Sequence, residues 1–214
     1  ERFVFLPALV FSSLLGGLGA LPSWSDLGPL DVIVVVDSSG SMVAEAAEVE
    51  SGLNEFASLL VDTGFDLHLI LISDDSGGSA GICAPAPLGS GSCPADEQLP
   101  GYRHIVQDVG SQAALTSVLD HFASYSSSLR AGSRRLILAV SDDDSSISGP
   151  EFTTLLLNLD ADFESFIFDA AALSMDSLPP PFNTCWPTGG GGAEGQAYVD
   201  LVLARSGYFH DFCV

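Results

Sequence analysis

The stretch DVIVVVDSSGSM at residues 31–42 constrains the fold of this chain more than any other segment. Five apolar residues run unbroken from Val32 to Val36 and stop at Asp37, and three of the next four residues are serine. An unbroken apolar run is typical of a strand buried on both faces of a parallel sheet, whereas a strand with one solvated face alternates. The stretch therefore predicts a central parallel strand whose end carries carboxylate and hydroxyl groups.

Segments of similar composition recur along the chain, separated by segments with helical periodicity. Apolar strands are predicted at 66–73, 134–140 and 163–170, with shorter strands near 103–109 and 208–210. Helices are predicted at 43–63, from Ser111 past Phe122, at 150–159 and around Tyr198. Such alternation indicates βαβ units. We therefore predict an α/β fold with a doubly wound, mostly parallel central sheet, helices on both faces and one antiparallel edge strand.

The first 20 residues have a different composition from the rest of the chain. They contain one basic residue, a long apolar run and a series of small residues that ends at Ala20. This is the layout of a secretory signal peptide. An uncleaved membrane anchor is the alternative, because the run approaches the length needed to span a bilayer. We predict a signal peptide at 1–20, a linker at 21–30 and one domain at 31–214, in a protein that is secreted or held at the cell surface.

Four cysteines support export. An even number of cysteines behind a signal peptide indicates disulfides, and four cysteines allow three pairings. We favour Cys83–Cys93 together with Cys185–Cys213, because each pair closes a segment that lacks its own core. A zinc site is the alternative, although neither pair has the two-residue spacing of zinc ribbons.

The charge of the chain restricts its partners. Six arginines and no lysines stand against 28 acidic residues, which gives a net charge of −22. Such a surface repels nucleic acids and anionic membranes, so neither is an expected partner. The membrane would be reached only through an uncleaved N-terminal segment, and the residues indicate no particular oligomeric state.

Two predicted strands both end in serine and aspartate residues. Asp37 is followed by Ser39 and Ser41, and the later strand ends at Ser141 and Asp142. In open parallel sheets, ligands bind beyond the carboxyl ends of the strands, at the point where the strand order reverses. Oxygen ligands of this kind suit a hard divalent cation such as Mg²⁺. An Asp–Ser turn that only caps the following helix is the alternative, but it would not require Asp142 on a separate strand.

The sequence DSSGS at 37–41, followed by Met42 and an amphipathic helix, has the form Asp-x-Ser-x-Ser. Together with VSDDDS at the end of a later strand, it resembles the metal-ion-dependent adhesion site of von Willebrand factor type A (VWA) domains. The similarity covers most of residues 30–214 and is closest to secreted bacterial versions with an extra cysteine-bracketed loop. It implies a Rossmann-like VWA fold.

The resemblance also implies roles for individual residues. Ser39 and Ser41 would bind Mg²⁺ directly through their hydroxyls, and Asp37 and Asp142 would act mostly through water; Mn²⁺ and Ca²⁺ are the alternative cations. The family also supplies a threonine from a loop on the same edge of the sheet. The segment ASYSSSLR at 123–130 holds no threonine. Ser124, Ser126, Ser127 or Ser128 could replace it, and we favour Ser126.

On this basis we expect a secreted or surface-exposed binding module rather than an enzyme. It would coordinate a divalent cation and capture an acidic group of a protein partner. A metal-dependent hydrolase, such as a phosphatase, is one alternative, although Ser39 stands where such enzymes have a second aspartate and the chain has no lysine. A structural VWA-like domain with a degenerate metal site is the other.

Overall fold

The computed structural model describes residues 27–75, 77, 79–173 and 193–212. The strands are β1 (Gly28–Val36), β2 (Phe65–Ser73), β3 (Tyr102–Val106), β4 (Arg134–Val140), β5 (Ile167–Ala172) and β6 (Phe209–Asp211). The α-helices are α1 (Val43–Asp62), α2 (Ala114–Asp120), α3 (Phe122–Tyr125), α4 (Gly149–Leu159) and α5 (Gln196–Ala204). Short 3-10 turns lie at Gly40–Met42, Ser126–Ser128 and Ala161–Phe163.

The six strands form one sheet in the order β3-β2-β1-β4-β5-β6, and every neighbouring pair is parallel. The predicted α/β class is therefore confirmed, and the sheet is compatible with a Rossmann-like fold. The predicted antiparallel edge strand is wrong. The chain returns to the starting edge of the sheet before each edge strand, through the loop 74–101 before β3 and through α5 before β6. Within the described residues, the antiparallel pairing is limited to an isolated bridge between Gln98 and Tyr102.

Both faces of the sheet are covered, which explains the unbroken apolar run of β1. Val32, Val34 and Val36 point into one hydrophobic core, where they join the buried side chains of α1. Ile33 and Val35 point into the other core, which contains the buried side chains of α2, α4 and α5. Every β1 residue from Leu30 onward is buried, so a polar residue on either side of this strand would face a core.

The end of α1 shows how local signals set the helix boundaries. The amide of Gly64 donates to the carbonyl of Val61, and Gly64 has a φ of 98°. Glycine adopts this left-handed conformation without the steric penalty that other residues meet, so it is placed to end the helix. The chain then enters β2 directly.

The long loop between β2 and β3 contains a disulfide between Cys83 and Cys93, as predicted. Because these two sulfurs are bonded to each other, they do not form the alternative zinc site. Cys185, Cys213 and the predicted signal peptide lie outside the described residues. The linker predicted up to residue 30 ends earlier, because β1 begins at Gly28. None of the described helices has the length and apolar character needed to span a bilayer.

Candidate metal centre at the carboxyl edge of the sheet

The strand order reverses between β1 and β4, since α1 carries the chain from β1 to one side and β4 lies on the other. This arrangement leaves a crevice at the carboxyl ends of the two central strands. The segments that follow β1 and β4 therefore meet there. They carry four of the five predicted metal-site residues, namely Asp37, Ser39, Ser41 and Asp142.

Asp37 connects the two strand ends. Its amide donates to the carbonyl of Val140 at 2.9 Å, which extends the pairing of β1 with β4. Its carboxylate accepts from the Ser39 amide at 2.7 Å and from the Ser141 hydroxyl at 2.9 Å. The side chain is fully buried, and both of its oxygens are thus held in fixed directions.

Ser39 and Ser41 present two hydroxyls at the entrance of the crevice. Their Oγ atoms are 3.1 Å apart, with Ser39 half-buried and Ser41 exposed. The intervening 3-10 turn is anchored by Met42, which is completely buried in the core beneath α1. The backbone is therefore fixed while the hydroxyls remain accessible from solvent.

Asp142 approaches the same hydroxyls from the end of β4. The residue is 7% exposed, and its Oδ1 atom is buried without a hydrogen-bond partner among the described residues. Burial raises the pKa of this carboxyl, and the negative charges of Asp37, Asp143 and Glu45 raise it further, although a hydrogen bond from Ser41 lowers it. A buried carboxylate oxygen without a donor is energetically unfavourable unless a cation or water reaches it.

The pKa of Asp37 is also raised, chiefly by burial. The hydrogen bonds from Ser39 and Ser141 act in the opposite direction, and the charge of Asp143 raises the pKa again. Burial thus raises the pKa of both Asp37 and Asp142. This is the expected behaviour of acidic groups that lack a compensating positive charge.

The described arginines do not supply that charge. Each of the ion pairs found among the described residues joins other acids, namely Asp96, Asp31, Asp66, Asp160 and Asp162. The oxygen set is consistent with a hard divalent cation, because it combines two neutral hydroxyls with an unpaired carboxylate oxygen. The residues that fit such an ion are Ser39, Ser41 and Asp142, with Asp37 orienting them.

Ser126 is not part of this cluster. It begins the 3-10 turn Ser126–Ser128, and the carbonyl of Ser128 accepts a hydrogen bond from His68 near the start of β2. Arg130, two residues later, contacts Asp31 at the start of β1. The segment therefore lies at the amino edge, because the helical segment between β3 and β4 returns the chain to the edge where β4 begins. The prediction that Ser126 joins Ser39 and Ser41 is not met.

The loop at 107–113 reaches the carboxyl edge instead. The Ser38 amide donates to the carbonyl of Val109 at 2.8 Å, and the Ser141 hydroxyl lies 3.3 Å from the carbonyl of Ser111. Ser111 does not cap the next helix, which begins at Ala114 with Ala113 in the capping position. Ser111 is thus the serine of this loop that lies beside the central strand ends.

Three further acidic residues surround the cluster. Asp143 accepts from the Ala193 amide at 3.0 Å, and Asp144 accepts from the Ala197 amide in the first turn of α5 at 3.0 Å. These half-buried carboxylates are therefore not the solvated loop charges that their position in the sequence suggests. Glu45, in the first turn of α1, has a buried Oε2 atom without a partner among the described residues.

Tyr198 of α5 borders the cluster on the side of Ser141. Its hydroxyl is buried without a hydrogen bond of normal geometry to the described residues, and burial raises its pKa strongly. The Ser141 hydroxyl lowers this pKa slightly, whereas the charges of Asp37, Asp144 and Asp143 raise it. The phenol therefore stays protonated, so an uncharged side chain borders the acidic site on this side.

A second polar cluster lies next to this site, under the disulfide loop. The Nε2 atom of His104 is 3.0 Å from the Ser73 hydroxyl, and its Nδ1 atom is 2.7 Å from Asp96. Tyr102 and the Ala84 amide also donate to Asp96. The order serine, histidine, aspartate is that of a hydrolase triad. Ser73 is completely buried, however, and its hydroxyl donates to the Asp74 carbonyl, so the cluster fastens the loop to the sheet.

No family model matches the chain, and no similar curated protein was found.

Proposed function

We propose that this chain is a divalent-cation-binding module with a VWA-type adhesion site, which captures an acidic group of a protein partner through the bound ion. The observation that carries the proposal is the Oδ1 atom of Asp142. It is buried without a partner among the described residues, beside the Ser41 hydroxyl and at the reversal point of the sheet.

The residues of the Asp-x-Ser-x-Ser sequence by themselves suit Mg²⁺. Ser39 and Ser41 would contact the ion through neutral hydroxyls, so its positive charge would be only partly cancelled. Asp37, whose oxygens are already engaged by Ser39 and Ser141, would orient the ligands. A cation held in this way would supply an electrophilic position for a carboxylate of the partner. The backbone carbonyl of Ser111, and not Ser126, lies beside the strand ends at this edge.

The disulfide supports a role outside the cytoplasm. Disulfides persist in oxidising compartments, which is where adhesion modules act. We therefore propose that the protein is secreted or displayed at the cell surface. The net charge of −22 gives the protein an electrostatic field that repels an acidic partner. The attraction would therefore come from the bound cation.

Titration calorimetry of the full chain with Mg²⁺, Mn²⁺ and Ca²⁺, after treatment with EDTA, tests the cation site. We expect saturable binding and a thermal stabilisation that EDTA reverses, of about 2.7 kcal/mol at a cation concentration 100-fold above Kd. The double substitution Ser39→Ala and Ser41→Ala should abolish both effects. Ser126→Ala is the matched control and should leave both unchanged, since Ser126 begins a turn at the opposite edge.

Absence of saturable heat with all three cations would contradict the proposal and favour the structural-domain alternative. The acidic-partner part is tested with immobilised peptides that carry a single aspartate or glutamate. We expect retention in Mg²⁺ and release by EDTA, and an asparagine-containing peptide should not be retained. Retention that is equal in EDTA and Mg²⁺ would argue against capture through the ion.

A further inference from the structure

Glu45 lies beside the cluster although it is not part of the Asp-x-Ser-x-Ser sequence. It stands four residues after Ser41, and residues with this spacing lie on the same side of a helix. The charge of Glu45 raises the pKa of Asp142, whereas Ser41 lowers it. Ser41 and Glu45 follow β1 and Asp142 follows β4, so the three residues belong to two segments that meet at the carboxyl edge of the sheet.

The position of Glu45 in the helix does not account for its buried oxygen. A glutamate at the third helical position commonly reaches back to the backbone amide of the capping residue. Here Oε2 of Glu45 is buried and accepts no hydrogen bond from the described residues, and the capping residue Met42 makes no side-chain cap. A carboxylate that only served the helix dipole would be expected to stay in contact with solvent.

Asp142 and Glu45 thus share one property. Each has a buried carboxylate oxygen without a donor among the described residues, and the charge of Glu45 raises the pKa of Asp142. The described ion pairs do not include either residue. Buried carboxylate oxygens without a donor are stabilised when a positive charge lies close to them.

We propose that Glu45 is a further cation ligand of this site and that it gives the site a preference for Ca²⁺ over Mg²⁺. This inference rests on the proposed cation site and specifies its chemistry. Ca²⁺ accepts six to eight oxygens in flexible geometry, whereas Mg²⁺ requires near-octahedral geometry and retains several waters. A long, flexible carboxylate added to two hydroxyls and Asp142 increases the number of anionic ligands, which favours the larger ion.

The inference also bears on the partner. A site with Glu45 on the ion carries more negative charge, so the ion attracts an external carboxylate less strongly. A partner carboxylate would then compete with Glu45 for the ion. Removal of the Glu45 charge should weaken Ca²⁺ binding and at the same time strengthen Ca²⁺-dependent retention on an acidic peptide.

The test compares the full-length wild type with Glu45→Gln and with Glu48→Gln. The first variant removes one charge with little change of shape, and the second removes the same charge from an exposed position on the same helix. We expect Glu45→Gln to weaken Ca²⁺ binding on the order of tenfold, to weaken Mg²⁺ binding much less, and so to remove the preference. Glu48→Gln should bind both cations as the wild type does. Circular dichroism verifies that both variants are folded.

The outcomes separate this inference from the proposed function. If the wild type binds cations and Glu45→Gln has the same Ca²⁺ and Mg²⁺ affinities, Glu45 is not a ligand and the VWA-type site stands without it. If Glu45→Gln and Glu48→Gln weaken binding equally, the effect is one of net charge, and the inference is again overturned. If the wild type binds no divalent cation, the proposed function fails, and the role of Glu45 fails with it.

Discussion

Buried acids are paired with arginine at the amino edge of the sheet but not, among the described residues, at its carboxyl edge. At the amino edge, the fully buried Asp31 accepts from the Arg130 amide at 2.6 Å and from the Arg130 guanidinium at 2.8 Å, and Ser133 adds its hydroxyl. At the carboxyl edge, Asp37 and Asp142 are buried without an arginine partner among the described residues. The same fold therefore contains a compensated and an uncompensated set of buried carboxylates.

A second pair at the amino edge follows the first pattern. Arg135 contacts Asp160 at 2.8 Å and lies over the ring of Phe163. Partial burial raises the pKa of Asp160, but the Asp162 amide and Arg135 outweigh this effect and hold the pKa below its usual value. Acids that serve the fold are thus paired within it. Acids left unpaired in a buried crevice mark a candidate ligand site.

The largest expected effect is the loss of stability on removal of the arginine that pairs with Asp31 at the amino edge. Arg130→Ala removes the guanidinium and leaves Asp31 buried with only an amide and a hydroxyl. Loss of one partner of a buried ion pair costs about 3–5 kcal/mol. We expect a decrease of this order in the free energy of unfolding, measured by urea denaturation. Arg134→Ala, an exposed position next to the same strand start, should cost less than about 1 kcal/mol. Equal losses for the two variants would contradict this account of Asp31.

At the carboxyl edge we expect a smaller change of opposite sign, namely an increase in the free energy of unfolding. In EDTA, Asp142→Asn removes one charge from a group of acids that repel one another, and it should raise the free energy of unfolding by about 1 kcal/mol. Asp31→Asn, the matched change at the amino edge, should lower it, because the Arg130 charge then lacks its buried partner. In saturating Mg²⁺ the Asp142→Asn variant should gain no stability. If Asp142→Asn destabilises the metal-free protein as Asp31→Asn does, the carboxyl edge is compensated after all.

The strands and the core of the site could be read from the sequence because their signals are local. The unbroken run in β1 reflects burial on both faces, and the strand-end rule brings Asp37 and Asp142 together once both strands are assigned as parallel. Ser126 was misplaced because the edge that it occupies depends on the direction of the helical segment before β4. A residue shortly before a parallel strand lies at the amino edge, whatever its side chain.

Glu45 and the His104 cluster could not be found in this way. The spacing of Glu45 from Ser41 was visible in the sequence, but the burial of its Oε2 atom was not. His104, Asp96 and Ser73 meet because β3 pairs with β2 and the disulfide loop folds over both. Such contacts follow from tertiary packing, which no periodicity in the sequence encodes.

The smallest effect is a difference in pH dependence between the two edges. The folded pKa values of Asp37 and Asp142 lie above the usual 3.8, so in EDTA these groups add stability as the pH falls from neutral towards 3.8. The folded pKa of Asp160 lies below 3.8, so its contribution to stability is present above pH 3.8 and is lost as the pH falls further.

The stability advantage of Asp142→Asn over the wild type should therefore be greatest near neutral pH and shrink on acidification. The deficit of Asp160→Asn should persist until the pH passes below 3.8. Urea denaturation across this pH range measures both differences, and an advantage of Asp142→Asn that grows as the pH falls would show that the carboxyl edge is not the uncompensated one.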